Sequence, residues 1–499
     1  MPGTAPAAAP AAAPAAAAPA AAHGAPAATP PAAAAPTSRF RPRAARPSFA
    51  FALALAAAAL AVLTSLAACG SSNPTPSSTP TPSPTPTAAS ASPATPSPTP
   101  PPGASPTTSP ADAAIYDQIE RQVEQLRGLR ATRPVVPRLI DEAGLRAYVA
   151  RSLAETPPAR LDASDALLRA LGLLPDGSSL GELFSELFTA QIAGFYDPET
   201  KALNVVTRQG GLGPVEKVTF AHEFTHALQD QHFPTFRADE FQGAASGIIR
   251  TPDGQSDRSL ATLGLVEGDP TLVMTLWAQQ HLQPSELEEL LAASSDPQTA
   301  KVLAEMPAIL RDTLLYPYTA GLGFVLGRQL AGGWAAVDRL YANPPTSTEQ
   351  VLHPEKYGVD EPVTVTLPAD LARRLGGGWA LVQEDTLGEL QLRSWLQTAG
   401  SIPGATTSSI TAQVAAAGWG GDRIALFRGP KGAWALVLRT AWDTAVDADE
   451  FALAAPGSLA STPIGPNVIR TGARTVDYIA GSTALAEALL TRALGHEGD

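Results

Sequence analysis

His222, Glu223 and His226 stand together in the run Ala221-His222-Glu223-Phe224-Thr225-His226, and their types and spacing are those of metal-assisted hydrolysis. On a helix the two histidines are one turn apart and share a face, so their ring nitrogens converge on one ion while Glu223 points to its open position. A zinc ion so held lowers the pKa of a bound water to about 7 and polarises a scissile carbonyl. Glu223 is then the general base, which takes the water's proton and passes it to the leaving amine. From Pro214 to His232 the residues read PVEKVTFAHEFTHALQDQH, with Val215, Val218, Phe220, Phe224 and Leu228 mostly at helical spacing and Gly213-Pro214 as a start signal. The motif therefore falls in mid-helix.

Catalytic zinc usually takes three protein ligands, so one more is needed. His232 lies ten residues after His222, the spacing of the metzincin pattern, whereas Glu267 lies in a second apolar-periodic segment, Ser259–Asp269. If the first helix runs on, His232 is about 9 Å further along the axis than His226 and rotated off the ligand face. Metzincins end the helix with a glycine; here Gln229 holds that place. Glu267 is the expected third ligand, with a His232-containing site as the alternative.

On these residues the chain resembles the smaller bacterial members of the gluzincin clan of zinc metallopeptidases, in which two motif histidines and a glutamate from a later helix hold the metal. The resemblance implies a Zn²⁺ cofactor, a peptide or protein substrate, and a downstream His or Tyr donating to the oxyanion. His353 and Tyr318 are the candidates, although Tyr316 and Tyr318 equally suit the buried face of an amphipathic helix, and Tyr357 is read as structural. Asp269 and Asp230 are candidate acceptors for the ligand imidazoles. Pro270 either kinks the Glu267 helix or stands first in a new helix capped by Asp269. Residues Gly194–Lys201 and Ala202–Thr207 look like a hairpin before the active-site helix, and its edge could hold an extended peptide.

Around these residues the expected fold class is α+β. A zincin-like, mainly helical metallopeptidase domain with a small β-sheet or hairpin spans 112–358, and a smaller accessory α+β region spans 359–499. Helices are expected over Ala113–Gly128, Pro137–Glu155, Ser179–Ala193, Ser285–Leu310, Arg311–Leu330 and Thr386–Gln397. Phe233–Asp257 lacks periodicity and reads as a loop. Val363–Leu367 alternates as a strand does, and Arg423–Arg428 with Ala433–Thr440 flank Gly429–Gly432 as a hairpin. Gly418–Arg423 reads as a tight turn, and Asp447–Glu450 as the acidic first turn of a helix rather than a Ca²⁺ loop.

The N-terminus bears on compartment. After an Ala/Pro tract over 1–38, four arginines (Arg39, Arg41, Arg43, Arg46) precede an uncharged apolar run from Phe49 to Ala68 that ends in Leu66-Ala67-Ala68-Cys69-Gly70. This is signal-peptide architecture with a lipobox-like end, and Cys69 is the chain's only cysteine, so residues 1–69 read as an extension plus lipoprotein signal. An uncleaved transmembrane anchor is the competing reading, and both leave the catalytic part outside the cytoplasm. Residues 70–111, nearly all Ser, Thr, Pro, Ala and Gly, cannot bury a core and form a disordered tether. All 47 acids but only 30 of the 34 bases follow residue 111, a balance of −17 that excludes a nucleic-acid footprint. A membrane-anchored peptidase of the bacterial envelope is therefore expected, with a zinc-binding lipoprotein without turnover as the other class.

Overall fold

The computed structural model describes residues 110–496 apart from 175–176, 184, 186–193, 199, 207–211, 234–250, 252, 295–300, 302, 304–305, 399–408 and 460–465. Cys69, the signal segment and the tether lie outside the described residues, as do most of the helix expected over Ser179–Ala193 and of the loop expected over Phe233–Asp257. The fold is α+β: helices surround a three-stranded sheet, and a five-stranded antiparallel sheet follows. None of the described helices is long and apolar enough to cross a membrane.

In chain order the first part comprises α1 (Pro110–Arg127), β1 (Val136–Ile140), α2 (Glu142–Glu155), α3 (Pro158–Ala170), β2 (Gly194–Asp197) and β3 (Ala202–Val206). There follow α4 (Pro214–His232), α5 (Ser256–His281), α6 (Pro284–Ser294), α7 (Ala308–Tyr316), a π-helical turn (Pro317–Gly321), α8 (Leu322–Ala342) and α9 (Thr348–Leu352). The β2–β3 hairpin turns at Thr200-Lys201, where the Asp197 carboxylate accepts from Thr200 N and Oγ1 and Lys201 takes a left-handed φ of 56°. The segment expected to be helical from Pro137 instead begins with β1, paired in parallel with β3. Proline at 137 and the branched Val135, Val136 and Ile140 suit an extended chain, and a partner strand as distant as Ala202 is from Val136 could not be read locally.

Helix α4 shows little amphipathicity because it is buried almost all round. Val218, Phe220, Phe224 and Leu228 pack with Tyr116, Ile119 and Val123 of α1 and with Val273, Met274 and Trp277 of α5. It starts as expected, with Pro214 first and the Glu216 carboxylate accepting from Gly213 N at 3.0 Å. The hairpin lies directly on it: a Cβ on Gly194 would stand 2.6 Å from Thr219 Cγ2.

The second part comprises α10 (Leu371–Leu375), β4 (Ala380–Asp385), α11 (Gly388–Thr398), α12 (Ser409–Ala416), β5 (Trp419–Arg428), β6 (Trp434–Trp442), α13 (Ala445–Ala454), β7 (Asn467–Gly472), β8 (Thr475–Gly481) and α14 (Ala484–Ala493), the strands ordered β4-β5-β6-β8-β7. Period-two alternation sends Ile424, Leu426, Leu436 and Leu438 to one face and Ala425, Phe427, Ala435 and Val437 to the other, and both faces are covered. Val363–Leu367, expected as a strand, is not one. Only its first residue is tied to β5, by Val363 N donating to Gly420 O at 2.7 Å. Residues 445–454 are a helix whose N-cap Thr444 pairs reciprocally with Asp447, as its acidic first turn implied.

The expected boundary at 358/359 is no break in the core. One apolar cluster joins Leu145, Val149, Leu167 and Ile309 to Trp395, Leu426, Leu436 and Tyr478. Buried carboxylates cap helix N-termini here, and the first of them, Asp385, reaches across the boundary. Asp385 accepts from Ser256 N at 3.1 Å and Oγ at 2.6 Å, at the start of α5, while Asp422 accepts from Leu387 N and Gly388 N, at the start of α11.

Candidate metal centre

Helices α4 and α5 cross so that His222, His226 and Glu267 meet in the interior, each almost wholly buried. His222 Nε2 lies 3.2 Å from Glu267 Oε2 and 3.1 Å from His226 Nε2, and His226 Nε2 lies 3.4 Å from the same Glu267 oxygen. The three atoms form a nearly equilateral triangle. With zinc–nitrogen and zinc–oxygen bonds near 2.0–2.1 Å, two ligand atoms of a tetrahedron stand about 3.3 Å apart, so the donor set fits such an ion in kind and in spacing. Glu267 Oε1 and His222 Nδ1 are buried without a hydrogen-bond partner among the described residues.

Burial and mutual contact set the electrostatics of the cluster. Burial disfavours a charged His226, but the Glu267 carboxylate outweighs it and holds that imidazole's pKa up, at about 9. Burial likewise opposes a charged Glu267, yet the two imidazoles bring its pKa down to about 2, while burial pushes His222 below its ordinary value. Glu223 sits beside the cluster with Oε2 accepting from Tyr196 N of β2 at 2.8 Å, and Oε1 has no hydrogen-bond partner among the described residues. Burial raises its pKa to about 8 against the lowering effects of His226 and the Tyr196 amide.

The remaining candidates fall differently. Tyr318, buried on the π-helical turn, places its ring centroid 6.3 Å from that of His222. His353 ends α9, and its contacts go to Glu389, at 2.8 Å, and Glu355 rather than to the cluster, so the oxyanion role weighed for it has no geometric basis. Asp230 does not reach an imidazole either; it accepts from Tyr196 Oη at 2.9 Å and Lys201 Nζ at 2.8 Å and faces Arg133. His232, partly exposed at the end of α4, meets Arg130 O at 2.7 Å and is not among the clustered ligands. Tyr357 donates to Asn343 O, in keeping with a structural role.

Asp269 is bound by Arg127 and by Tyr341 Oη, and reaches His226 only through Tyr341 and then Gln229, whose Oε1 faces His226 Nδ1 at 2.8 Å. Gln229, Tyr341 and Arg127 were not legible as site residues. Gln229 carried a signal, three positions after His226 on the same helix, but was read only as a missing glycine. A second acidic group, Glu349, Asp360 and Asp443, surrounds the Lys356 ammonium, which lies 2.6, 3.3 and 2.6 Å from them, so a lysine already fills it.

Comparison with known proteins adds little to this geometry. The profile named Domain of unknown function (DUF8575) matches residues 374–485, within the second sheet and its helices. No curated protein matches the chain. Among solved structures, a candidate hydrolase with a novel fold from Chloroflexus aurantiacus is similar at 18% identity and a TM-score of 0.33, over 49% of this chain and 86% of that one. A likeness at that score does not establish a common fold.

Proposed function

We propose that the protein is a zinc-dependent peptidase of the gluzincin type, held outside the cytoplasm of a bacterial cell by a lipidated Cys69. The observation that carries the reading is the buried triangle of His222, His226 and Glu267 with a Glu223 oxygen beside it that has no hydrogen-bond partner among the described residues. A zinc ion bound there would act as a Lewis acid toward the scissile carbonyl and acidify the attacking water. Glu223 would take that proton on Oε1, because Oε2 is held by the Tyr196 amide, and deliver it to the departing amine. The hydroxyl of Tyr318 is the donor proposed for the charge developing on the substrate oxygen. Strand β2 is an edge of its sheet among the described residues and abuts Glu223, which suits an extended peptide lying across the site.

The test is metal analysis and peptide-library cleavage on the full chain. About one zinc per chain is expected, lost together with cleavage in Glu267→Ala. Glu223→Gln should keep the zinc and lose about 10²-fold or more in rate. Absence of zinc from wild type, or full cleavage by Glu223→Gln, would overturn the assignment.

A further inference from the structure

Pro270 lies inside the continuous helix α5, where its nitrogen has no hydrogen to give Val266 O, four residues earlier. That carbonyl is not left unsatisfied. Gln229 Nε2, from α4, donates to it at 3.0 Å and also donates to Tyr341 Oη at 2.6 Å. The carboxamide could in principle be flipped, since nitrogen and oxygen have the same shape. Its neighbours forbid it, because a backbone carbonyl only accepts and the nitrogen must therefore face Val266.

Tyr341 enforces the same direction from the other side. Its hydroxyl lies 2.8 Å from Asp269 Oδ2, and Asp269 is gripped by Arg127 through Nε at 2.9 Å and Nη2 at 3.0 Å. A carboxylate bound to a guanidinium offers acceptors alone, so Tyr341 donates to it and presents a lone pair to Gln229. Arg127 is fully buried beneath the Trp334 ring, at 4.7 Å, and cannot swing away without leaving two charges in the interior.

We propose that Gln229 is the positioning residue of the site: it keeps a proton on His226 Nδ1, so that only Nε2 is offered to a metal. Every link from Arg127 through Asp269, Tyr341 and Gln229 has one allowed donor–acceptor sense, and the last link can only be Nδ1–H donating to Gln229 Oε1. His222 has no such partner on Nδ1 among the described residues, so the two ligand imidazoles are held unequally. Pro270 completes the device by freeing the carbonyl that locks the amide. The role assigned to Gln229 rests on the zinc reading above, but the Nδ1 proton does not.

The experiment uses the full chain labelled with ¹⁵N-histidine, and compares wild type with Gln229→Met, which keeps volume, and Gln229→Glu, which keeps an acceptor. Wild type should show a slowly exchanging His226 Nδ1–H with and without zinc, and Gln229→Glu should retain it. Gln229→Met should lose it and bind zinc about 10–100-fold more weakly by chelator competition, with Gln229→Glu much closer to wild type. Equal losses in both variants, or none in either, would overturn the proposal, as would a wild-type His226 protonated only on Nε2. A wild type that shows the Nδ1 proton but takes up no zinc would sink the peptidase reading and leave the directed chain of hydrogen bonds standing.

Discussion

His353 shows how far residue type alone can mislead. A histidine downstream of a zinc motif invites an oxyanion role, but this ring is paired with the buried Glu389 carboxylate, and the hydrogen bond to it raises the imidazole's pKa above its ordinary value of 6.5. A group whose pKa is raised on folding contributes stability that is full below its unfolded value and is lost as pH rises through the folded one. His353→Gln should therefore lower the melting temperature most near pH 6, and the gap should close as pH rises past the raised value. Melting curves of both proteins from about pH 5.5 to 9.5 check this, and a gap that does not change with pH would remove the ion pair from the account. His222, Glu223 and His226 were legible because one helical turn fixes their mutual placement. Asp230 was not, because nothing local says that Tyr196 and Lys201 of the hairpin would claim it.

At the scale of elements, α5 carries Glu267 to the histidines while packing against the π-helical turn that carries Tyr318. The approach is close because both surfaces are glycine there. A Cβ on Gly268 would collide with Gly321 O, and a Cβ on Gly321 would collide with Gly264 O. Gly268→Ala should cost about 1–3 kcal/mol through overpacking and loosen zinc by moving Glu267, its neighbour in sequence. Gly323→Ala is the control: nothing lies within 4 Å of its Cβ, so it should be neutral or stabilise α8 by up to about 1 kcal/mol. Thermal denaturation of the two variants, with zinc content measured alongside, checks the contrast, and equal melting temperatures would refute it. The glycines were visible in the sequence, but their use was not, since small residues at four-residue spacing do not name their partner. Of the two outcomes foreseen at Pro270, a kink or a new capped helix, the second does not occur: α5 runs from Ser256 to His281 with the proline inside, and Gln229 takes the freed carbonyl.

For the whole molecule, the proposed lipid anchor at Cys69 and the proposed tether after it rest on sequence alone and are tested together. Cys69→Ser is expected to abolish acyl labelling and block processing. Unchanged labelling and membrane fractionation would favour a transmembrane anchor instead. The body itself does not divide at residue 358, where the sequence pattern changes to mixed strands and helices. Its apolar cluster runs across that point, and the Asp385 cap binds the second sheet to the helix that bears Glu267.

By itself the sequence determined what is local in period or composition: the α+β class, the histidine helix with His222, Glu223 and His226, the β2–β3 hairpin and the β5–β6 hairpin. Helical and strand periods write themselves into neighbouring residues, and a two-histidine motif needs one turn of one helix. The tertiary structure decided what depends on residues far apart in sequence: the pairing of β1 with β3, the π-helical turn, the continuity of the core across 358, and the partners of His353, Asp230 and Asp269. Above all it decided the sense of the hydrogen bonds behind His226. Arg127, Gln229, Val266 and Tyr341 come from four helices, and their polarity is fixed only once burial leaves each link a single donor–acceptor sense.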